Sequence, residues 1–561
     1  MDSTLKQKLQ GYYRKIYKDE KSINSLLDMV DELLAKYPAI PDDNTPLSEK
    51  EAVLITYGDT ILPEQGKALN GLSAFLETYV HNAFSTVHLL PIYPYSSDDG
   101  YSIIDYKAIN PTLGDWEDVE KLGEKYSLMT DAVINHISKQ SEWFKGFLSW
   151  KEPYNRYFLV EDPNDDFSSV ARPRVSPLLS AFDTADGKKW VWTTFSDDQI
   201  DLNFGNVEVY AAVLDVLLFY AQKKVKMIRF DAIGYVWKEK GSSCLNLPEV
   251  HWIVQSLRAI LDEHAPGTRI ITETNVPHLE NISYFGGEYR EAQLVYQFPL
   301  PPLVMYTILA GNCEKLSAWA AGLDQPKNGC TYFNFLSSHD GIGVRPVEGI
   351  LDDSEIQVLL DNTLRNGGKV SYKTNSDGSR SPYELNINYQ DALASPDDSD
   401  SLRRARFLAA ETILLSMQGV PGIYIHSLLG SRNDYYDREV TGVPRQINRE
   451  KLSYAKLQKQ LDTDTNRSAI FNELIRRLQI RRSHSAFSPD AAQKIVSDNP
   501  SVFHFYRSSD TERIHVLVNI SSESQSIDCA AAGQDLLSGE ALEGRVLIVP
   551  YQSLWILEDG K

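Results

Sequence analysis

Four short segments of the chain place charged side chains directly after apolar runs. The segments are DAVINH at 131–136, IRFDAIGY at 228–235, ITETN at 271–275 and FLSSHD at 335–340. Charged groups are costly to bury and uncommon within strands, so we expect them where strands end. Any one of these polar residues could have a structural role alone, but four such segments in succession indicate a reaction centre.

Three of these side chains are carboxylates whose convergence would suit glycosyl transfer. A retaining mechanism needs a nucleophile and a general acid/base about 5 to 5.5 Å apart. Asp231, Glu273 and Asp340 supply such groups if the strand ends meet at one mouth. Metal binding is the alternative chemistry for the cluster, but neither an H-x-x-x-H motif nor a close Asp/Glu spacing supports it.

Eight short apolar runs alternate with helical patterns and must position these residues. They are AVLITYG, TVHLLPI, LMTDAVINH, KMIRFDAIG, RIITETN, AQLVYQF, TYFNFLSSHD and GVPGIYIH. Strand and helix in alternation predict a parallel sheet, and eight such units predict a closed (β/α)8 TIM barrel. The charged side chains would then lie at the carboxyl ends of the strands, the face that carries active sites in barrel enzymes.

Segments that break this alternation divide the chain into regions. The barrel is expected over residues 51–137 and 202–484. Residues 138–201, rich in Pro, Asp and aromatic residues, predict a small irregular domain after the third strand, and the polar insertion 351–401 predicts a lid after the seventh. Residues 1–50 have a mainly helical pattern, and residues 485–561 predict an antiparallel β domain.

Composition and charge narrow the class of ligand. The chain has 561 residues, 42% of them hydrophobic, and a formal net charge of −21, which disfavours nucleic acid and favours a small ligand. We see no segment that would span a membrane. The widely spaced Cys244, Cys313, Cys330 and Cys529 predict neither a zinc site nor a disulfide framework. We expect a cytoplasmic protein that needs no metal or cofactor, and the sequence leaves its oligomeric state open.

The four polar segments resemble, in order and spacing, the four short conserved regions of the α-amylase superfamily of glycoside hydrolases. This resemblance implies that Asp231 is the nucleophile, Glu273 the general acid/base and Asp340 a third carboxylate that stabilises the transition state. Arg229 would then keep the pKa of the nucleophile low. His136 and His339 would hydrogen-bond the glucosyl ring.

A narrower resemblance, to the sucrose phosphorylase subgroup, is carried by SSDDGY, ARPR, RFDAIGYVWKEKGSSC, FPLPPLV, SHDGIGV and QINR. It implies transfer of glucose from a small α-glucoside to inorganic phosphate, with retained configuration. Asp98 and Arg449 would clamp the glucose ring, and Arg174 would meet phosphate, which suits a bidentate guanidinium. The remaining glucose contacts that the resemblance implies are Tyr101 and Phe195, as apolar walls, and Gln199.

Around the leaving group, TETNVPH, YFNFLSSHDGIG and DGSRSPYELNINYQDAL are most similar to the glucosylglycerate phosphorylases of that subgroup. This implies 2-O-α-D-glucosyl-D-glycerate as substrate, with Asn275, Asn386 and Arg380 near the leaving group. Because glycerate is an anion, we expect a cation of the 351–401 insertion, Lys373 or Arg380, to bind its carboxylate. Arg365 and Lys369 are the other cations of that insertion.

Several functions remain open at this point. The leaving group could instead be fructose, glycerol or a phosphorylated sugar, as in sucrose, glucosylglycerol or sucrose 6'-phosphate phosphorylases. The chain could also be an α-glucoside hydrolase or transglucosidase of the same fold. A catalytically silent binding module is disfavoured because all three carboxylates are present.

Overall fold

The computed structural model describes residues 1–41, 45–375, 379–463, 465–496 and 498–559; for 529–531 only the backbone is described, so the Cys529 side chain lies outside the described part. Eight parallel strands close into a central barrel, in which each strand pairs with its neighbours in the chain order of the barrel. They are β1 (Val53–Thr56), β3 (Thr86–Leu89), β4 (Ser127–Ala132), β9 (Val225–Phe230), β10 (Arg269–Thr272), β11 (Leu294–Tyr296), β12 (Thr331–Phe335) and β16 (Val420–Tyr424). The predicted (β/α)8 barrel is confirmed.

The register of neighbouring strands brings the charged residues to one level. Arg229 of β9 lies opposite Asp131 of β4. The Glu273 amide donates to the Phe230 carbonyl at 3.1 Å, which extends the pairing of β10 with β9 by one residue. Asp231 directly follows Phe230, so Asp231 and Glu273 leave the barrel side by side at its carboxyl end.

Helices follow the barrel strands, and most of them bury one face. They are α3 (Ala68–Phe75), α4 (Trp116–Gly123), α6 (Val207–Gln222), α7 (Pro248–His264), α8 (His278–Ile282), α9 (Leu300–Ala310), α10 (Glu314–Ala321), α13 (Asp400–Ser416), α14 (Ile425–Leu428), α15 (Tyr435–Thr441), α16 (Tyr454–Leu461) and α17 (Asn466–Arg481). Helix α7 begins at Pro248, a position where the missing N–H costs nothing. Its Ile253, Leu257, Ile260 and Leu261 are buried, as their helical spacing predicts.

The insertion after β4 contains more regular structure than its sequence predicts. Its elements are β5 (His136–Ser138), α5 (Glu142–Leu148), β6 (Leu179–Thr184), β7 (Gly187–Trp192) and β8 (Gln199–Asp201). Strands β6 and β7 form an antiparallel hairpin, and β5 pairs with β8. The helix and strands are too short to give a sustained hydrophobic period, which is why the sequence reads as irregular.

The segment after β12, which we call the lid, extends from Ile342 to Ala392. It contains β13 (Ile342–Gly343), α11 (Asp353–Arg365), β14 (Lys369–Thr374), β15 (Arg380–Asn386) and α12 (Tyr389–Ala392). The three strands form a sheet in the order β13-β15-β14. Asp352 and Glu355 form a capping box that fixes the start of α11. The lid is therefore a helix and a hairpin anchored by β13 rather than a long irregular loop.

The two ends of the chain pack on the barrel helices. Helices α1 (Ser3–Ile16) and α2 (Glu20–Lys36) lie against α7 and α6 respectively, and β2 (Ile61–Leu62) pairs with β17 (Leu452–Ser453). An antiparallel sheet of order β18-β19-β20-β23-β21-β22 follows α17. Its strands are β18 (Ala492–Val496), β19 (Val502–Ser508), β20 (Arg513–Asn519), β21 (Gln525–Asp535), β22 (Ala541–Ile548) and β23 (Ser553–Glu558). Among the described residues, none of the helices has the length and apolar character needed to cross a membrane.

Candidate active site

A cavity at the carboxyl end of the barrel collects most of the residues that the sequence singles out. It lies between the barrel strands, the insertion after β4 and the lid. Its lining includes twelve predicted residues: Asp98, Tyr101, His136, Arg174, Phe195, Gln199, Arg229, Asp231, Glu273, Asn275, His339 and Asp340. Arg380, Asn386 and Arg449 are not part of this lining.

The Arg229 guanidinium organises the floor of the cavity. Its Nη1 lies 2.7 Å from Asp231 Oδ1 and also donates to Asp131 Oδ1. Its Nη2 lies 3.9 Å from Glu273 Oε2. His88 Nε2 lies 2.7 Å from the second oxygen of Asp131. Asp231 and Glu273 therefore face the same buried cation at the carboxyl end of the barrel.

Burial raises the pKa of both Asp231 and Glu273. Arg229 lowers both values, but burial and the neighbouring carboxylates outweigh it. The expectation that Arg229 keeps the pKa of Asp231 low is therefore wrong in its net sign, because burial and the neighbouring carboxylates outweigh the guanidinium. Two interacting carboxyls titrate as a pair, and this pair holds a proton to higher pH than an exposed carboxyl does.

Ala232, directly after Asp231, has a left-handed backbone with φ of 48°. This conformation is disfavoured for a residue with a Cβ, and such strain is concentrated at functional sites. The turn points the Ala232 N–H at Glu273 Oε2, 2.9 Å away. The same turn thus follows Asp231 at the end of β9 and orients the Glu273 carboxylate.

Asp340 is held mainly by Arg445, a residue that the sequence analysis does not single out. Arg445 Nη1 lies 2.7 Å from Asp340 Oδ1, whereas Arg449, which is predicted to contact the glucose ring, lies farther from Asp340 at 3.7 Å. Burial would raise the pKa of Asp340, but Arg445, His339 and Arg449 together lower it well below the usual range. Asp340 is therefore ionised in the cavity.

The two residues predicted to clamp the glucose ring, Asp98 and Arg449, do not both line the cavity. Arg449 instead pairs with Asp99 and donates to the His339 carbonyl at 2.8 Å. Asp98 lines the cavity and accepts from Gln199 Nε2 at 3.1 Å. The two adjacent aspartates separate because residues 98–100 all have positive φ, which turns their side chains in different directions. A Cβ at Gly100 would lie 2.8 Å from Pro91, so the turn requires glycine there.

The two predicted histidines form one wall of the cavity. His339 stacks on Tyr101 with ring centroids 5.0 Å apart, and burial lowers the pKa of His339 to about 3. His136 packs against Phe195, and its Nε2 lies 2.8 Å from the Tyr101 carbonyl. Burial also lowers the pKa of His136. Both rings are therefore neutral at neutral pH.

Arg174 also lines the cavity, where its charge acts on the aromatic side chains of Tyr235 and Tyr383. Phe195 and Tyr235 contact each other edge to face at 5.5 Å. Burial raises the pKa of Tyr235 and Tyr383, and the charge of Arg174 opposes the rise in both. Arg174 forms no ion pair with any residue that the structure describes, so its charge is available to an anion in the cavity.

The lid contributes different residues from those expected. Arg380 lies exposed at the start of β15, and Asn386 is buried within the lid, where its amide donates to Ser371 Oγ at 2.9 Å. Lys373 pairs with Glu348 at 3.5 Å. The lid residues that do line the cavity include Tyr383 and Glu384.

A sequence model of the alpha-amylase catalytic domain matches residues 58–344, about half of the chain and nearly all of the strands that carry the site. The chain belongs to the alpha-amylase family. It is 44% identical over 537 residues to the glucosylglycerate phosphorylase of Allomeiothermus silvanus, covering 95% of this chain and 96% of that protein. It is also 44% identical over 558 residues to the glucosylglycerate phosphorylase of Escherichia coli, covering 98% and 100%.

Solved structures of the alpha-amylase family have the same architecture. The crystal structure of sucrose 6F-phosphate phosphorylase from Thermoanaerobacter thermosaccharolyticum matches with a TM-score of 0.76 and 25% identity, over 90% of this chain and all of that one. The predicted membership of this family is confirmed by both kinds of comparison.

Sequence reasoning missed four residues that complete this alpha-amylase family site: Tyr235, Tyr383, Glu384 and Arg445. Arg445 stands four residues before Arg449, next to the QINR segment used for the resemblance, and Tyr235 ends IRFDAIGY. Glu384 accepts from Arg445 at 2.9 and 3.1 Å. Arg445 and Tyr235 thus stand beside recognisable segments, but the pairing of Arg445 with Glu384 joins residues 61 positions apart and depends on how the lid packs.

Proposed function

We propose that the chain is a retaining glucosylglycerate phosphorylase, which converts 2-O-α-D-glucosyl-D-glycerate and phosphate into α-D-glucose 1-phosphate and D-glycerate. One observation carries the reaction class: a carboxylate pair on a shared guanidinium faces Arg174, a cation that no described carboxylate neutralises. The similarity to glucosylglycerate phosphorylases over nearly the whole chain supports the substrate.

In the first half-reaction, an Asp231 oxygen attacks C1 of the glucosyl unit, and the bond from C1 to the glycerate oxygen breaks. Glu273 gives its proton to that oxygen. The shorter Arg229 contact, 2.7 Å to Asp231 against 3.9 Å to Glu273, supports a charge on Asp231 and a proton on Glu273. Asp340, ionised beside Arg445, would bind sugar hydroxyls and stabilise the positive charge that develops at C1.

In the second half-reaction, a phosphate oxygen attacks C1 from the side that glycerate has left. The ester bond between C1 and Asp231 breaks, and Glu273 takes the proton of the attacking phosphate oxygen. Two inversions at C1 give the α configuration of the product. Arg174 would hold the phosphate through a two-pronged contact that lysine could not reproduce.

The test of the proposed function is a substrate screen with wild-type enzyme. Glucosylglycerate, sucrose, glucosylglycerol and sucrose 6'-phosphate are each incubated with and without phosphate, and glucose 1-phosphate and free glucose are measured. We expect glucose 1-phosphate only when phosphate is added, and fastest release from glucosylglycerate. Glucose release that ignores phosphate would instead identify a hydrolase or transglucosidase, and a faster reaction with sucrose would overturn the substrate.

A variant of Arg174 tests the phosphate site within that function. In a double displacement, kcat/KM for the donor reports the first half-reaction, and kcat/KM for phosphate reports the second. Arg174→Ala should lower kcat/KM for phosphate by about tenfold or more, because a charge-assisted contact is lost, and raise the share of hydrolysis. The donor value should change far less. Unchanged phosphate dependence would place the anion elsewhere.

A further inference from the structure

Arg345 is a cation near the cavity whose charge has no carboxylate partner among the described residues. Its Nε is buried and has no hydrogen-bond partner. A guanidinium is always charged and offers five N–H donors, so leaving it unpaired in a partly enclosed place is unfavourable. An unpaired guanidinium contributes little to the stability of the fold, so its presence here points to a ligand that pairs with it.

The backbone fixes where Arg345 stands. It begins a short turn after β13, two residues beyond Gly343, which lines the cavity. Gly343 pairs with Glu384 of the lid. A Cβ at Gly343 would lie 2.8 Å from Asn275 Oδ1, so β13 passes directly over the segment that follows Glu273. Arg345 thus follows the strand that crosses the segment after Glu273, the residue proposed to protonate the leaving group.

The electrostatic surroundings agree with this position. Burial raises the pKa of the Tyr235 phenol, and the charges of Arg345 and Arg174 both oppose that rise. Glu273 acts on the same phenol. Two guanidinium groups and the proton donor are therefore grouped around one aromatic side chain of the cavity wall.

Two other arginines of the cavity are already neutralised by described carboxylates. Arg229 and Arg445 each contact two carboxylates. Lys373 and Arg380, the two lid cations that the sequence analysis considers for glycerate, do not line the cavity; Lys373 pairs with Glu348 and Arg380 is exposed. Arg345 is likewise outside the lining, but its charge and that of Arg174 both act on the lining residue Tyr235, and neither arginine forms an ion pair with a described carboxylate.

We propose that Arg345 binds the carboxylate of the leaving group and thereby selects glucosylglycerate over neutral glucosides. The proposal rests on the proposed function and adds the residue that sets its specificity. A planar guanidinium matches a carboxylate with two parallel hydrogen bonds. A neutral leaving group such as glycerol leaves the cation unpaired and gains nothing from it.

The test compares two donors that share a glucosyl unit and differ in the carboxylate. Arg345→Gln should lower kcat/KM for glucosylglycerate by about tenfold to a hundredfold, because a charge-assisted contact is lost. The value for glucosylglycerol should stay within about threefold, since that donor makes no such contact. Arg345→Lys, which keeps the charge but not the fork, should lie between wild type and Arg345→Gln.

Two controls separate this role from others. Lys373→Gln removes a lid cation that is already paired and should leave both donors unchanged. The value of kcat/KM for phosphate, measured on Arg345→Gln, should also be unchanged, because it reports the second half-reaction. Activity on glucosylglycerol shows that each variant is folded.

Three outcomes would overturn the inference. Equal losses on both donors would mean that Arg345 positions the lid. A loss confined to phosphate would assign Arg345 to the phosphate site. If Lys373→Gln lowered kcat/KM for glucosylglycerate as much as Arg345→Gln does, positive charge in general and not this residue would set the specificity. If wild-type enzyme failed to phosphorolyse glucosylglycerate, the proposed function itself would fail, which is a distinct result.

Discussion

One guanidinium among three carboxylates explains how two of them acquire different roles. Arg229 contacts Asp131 and Asp231 and lies farther from Glu273. Burial keeps a proton on the Asp231 and Glu273 pair, and the nearer arginine draws the remaining charge to Asp231. The surroundings of the two carboxyls, rather than their residue types, therefore determine which one acts as nucleophile and which one as acid.

Asp231→Asn should abolish activity and stabilise the fold at the same time. An amide cannot form the glucosyl ester, so kcat should fall by at least about three orders of magnitude. The folded-state pKa of Asp231 is raised above its unfolded value by burial, so stability is lost as pH rises from the unfolded pKa through the folded one. Asparagine does not ionise, and the Tm gain over wild type should be larger at pH 8 than at pH 5.

The control for this prediction is Asp397→Asn, which removes an exposed carboxylate. Its Tm difference from wild type should be small and similar at both pH values. A variant Asp231→Asn with activity within tenfold of wild type would contradict the nucleophile assignment, and a Tm gain that shrinks with rising pH would contradict the raised pKa.

At the level of single residues, the sequence predicts the groups that chemistry requires but not all of their partners. Asp231, Glu273 and Asp340 stand at strand ends in recognisable segments, and all three line the cavity. The sequence analysis assigns no partner to Asp340; in the structure Arg445 contacts it, and Arg449 pairs with Asp99 beside the left-handed turn at Asp98 and Asp99. Such a turn follows from packing against Pro91 and not from local pattern.

Among the elements, the lid is joined to the barrel end by a buried ion pair. Glu384 of β15 accepts from Arg445 at 2.9 and 3.1 Å and from the Gly341 N–H at 3.0 Å. Arg445 also holds Asp340. The closed lid and the ionised third carboxylate therefore share one cation.

Glu384→Gln should loosen the lid and admit water. Loss of a charge-assisted pair of about 1.5 to 3 kcal/mol should lower kcat/KM for the donor by roughly tenfold or more and raise the ratio of glucose to glucose 1-phosphate. Glu348→Gln removes a more exposed lid carboxylate, paired with Lys373 at 3.5 Å, and should change neither quantity. An unchanged product ratio in Glu384→Gln would show that this pair does not keep water out.

The elements differ in how far their sequences predict them. Barrel strands such as β9 and β12 are buried along nearly their whole length and appear as continuous apolar runs. Helix α11 and the hairpin of β6 and β7 are half exposed, and their patterns are mixed. Those elements are stabilised by contacts with segments distant in the sequence, which local hydrophobic patterns do not reveal.

On the scale of the whole molecule, buried arginines join the regions of the chain through backbone carbonyls. Arg481 donates to the carbonyls of Leu415, Glu49 and Glu51 at 2.6 to 3.0 Å, and to that of Phe487 at 3.0 Å. It thereby links α13, the segment before β1 and the start of the terminal β domain. The side chain is fully buried, so each of these carbonyls would be left unpaired without it.

Arg481→Met should destabilise the molecule while leaving the chemistry intact. Several buried carbonyls would lose their donor, and we expect a loss of about 3 kcal/mol or more in the free energy of unfolding. Arg482→Met, at the neighbouring and more exposed position, is the matched control and should cost far less. Chemical denaturation measures both, and kcat of the folded enzyme should be unchanged; equal losses in the two variants would refute the role of Arg481.

We infer that this cavity carries out retaining phosphorolysis by double displacement. Proton NMR of glucosylglycerate with enzyme and phosphate tests it most directly, because the anomeric signal of the first product is read before any later reaction. We expect α-glucose 1-phosphate as the initial product, formed at a rate that rises with the phosphate concentration and then saturates. Initial appearance of the β anomer, or of free glucose at a rate independent of phosphate, would contradict it.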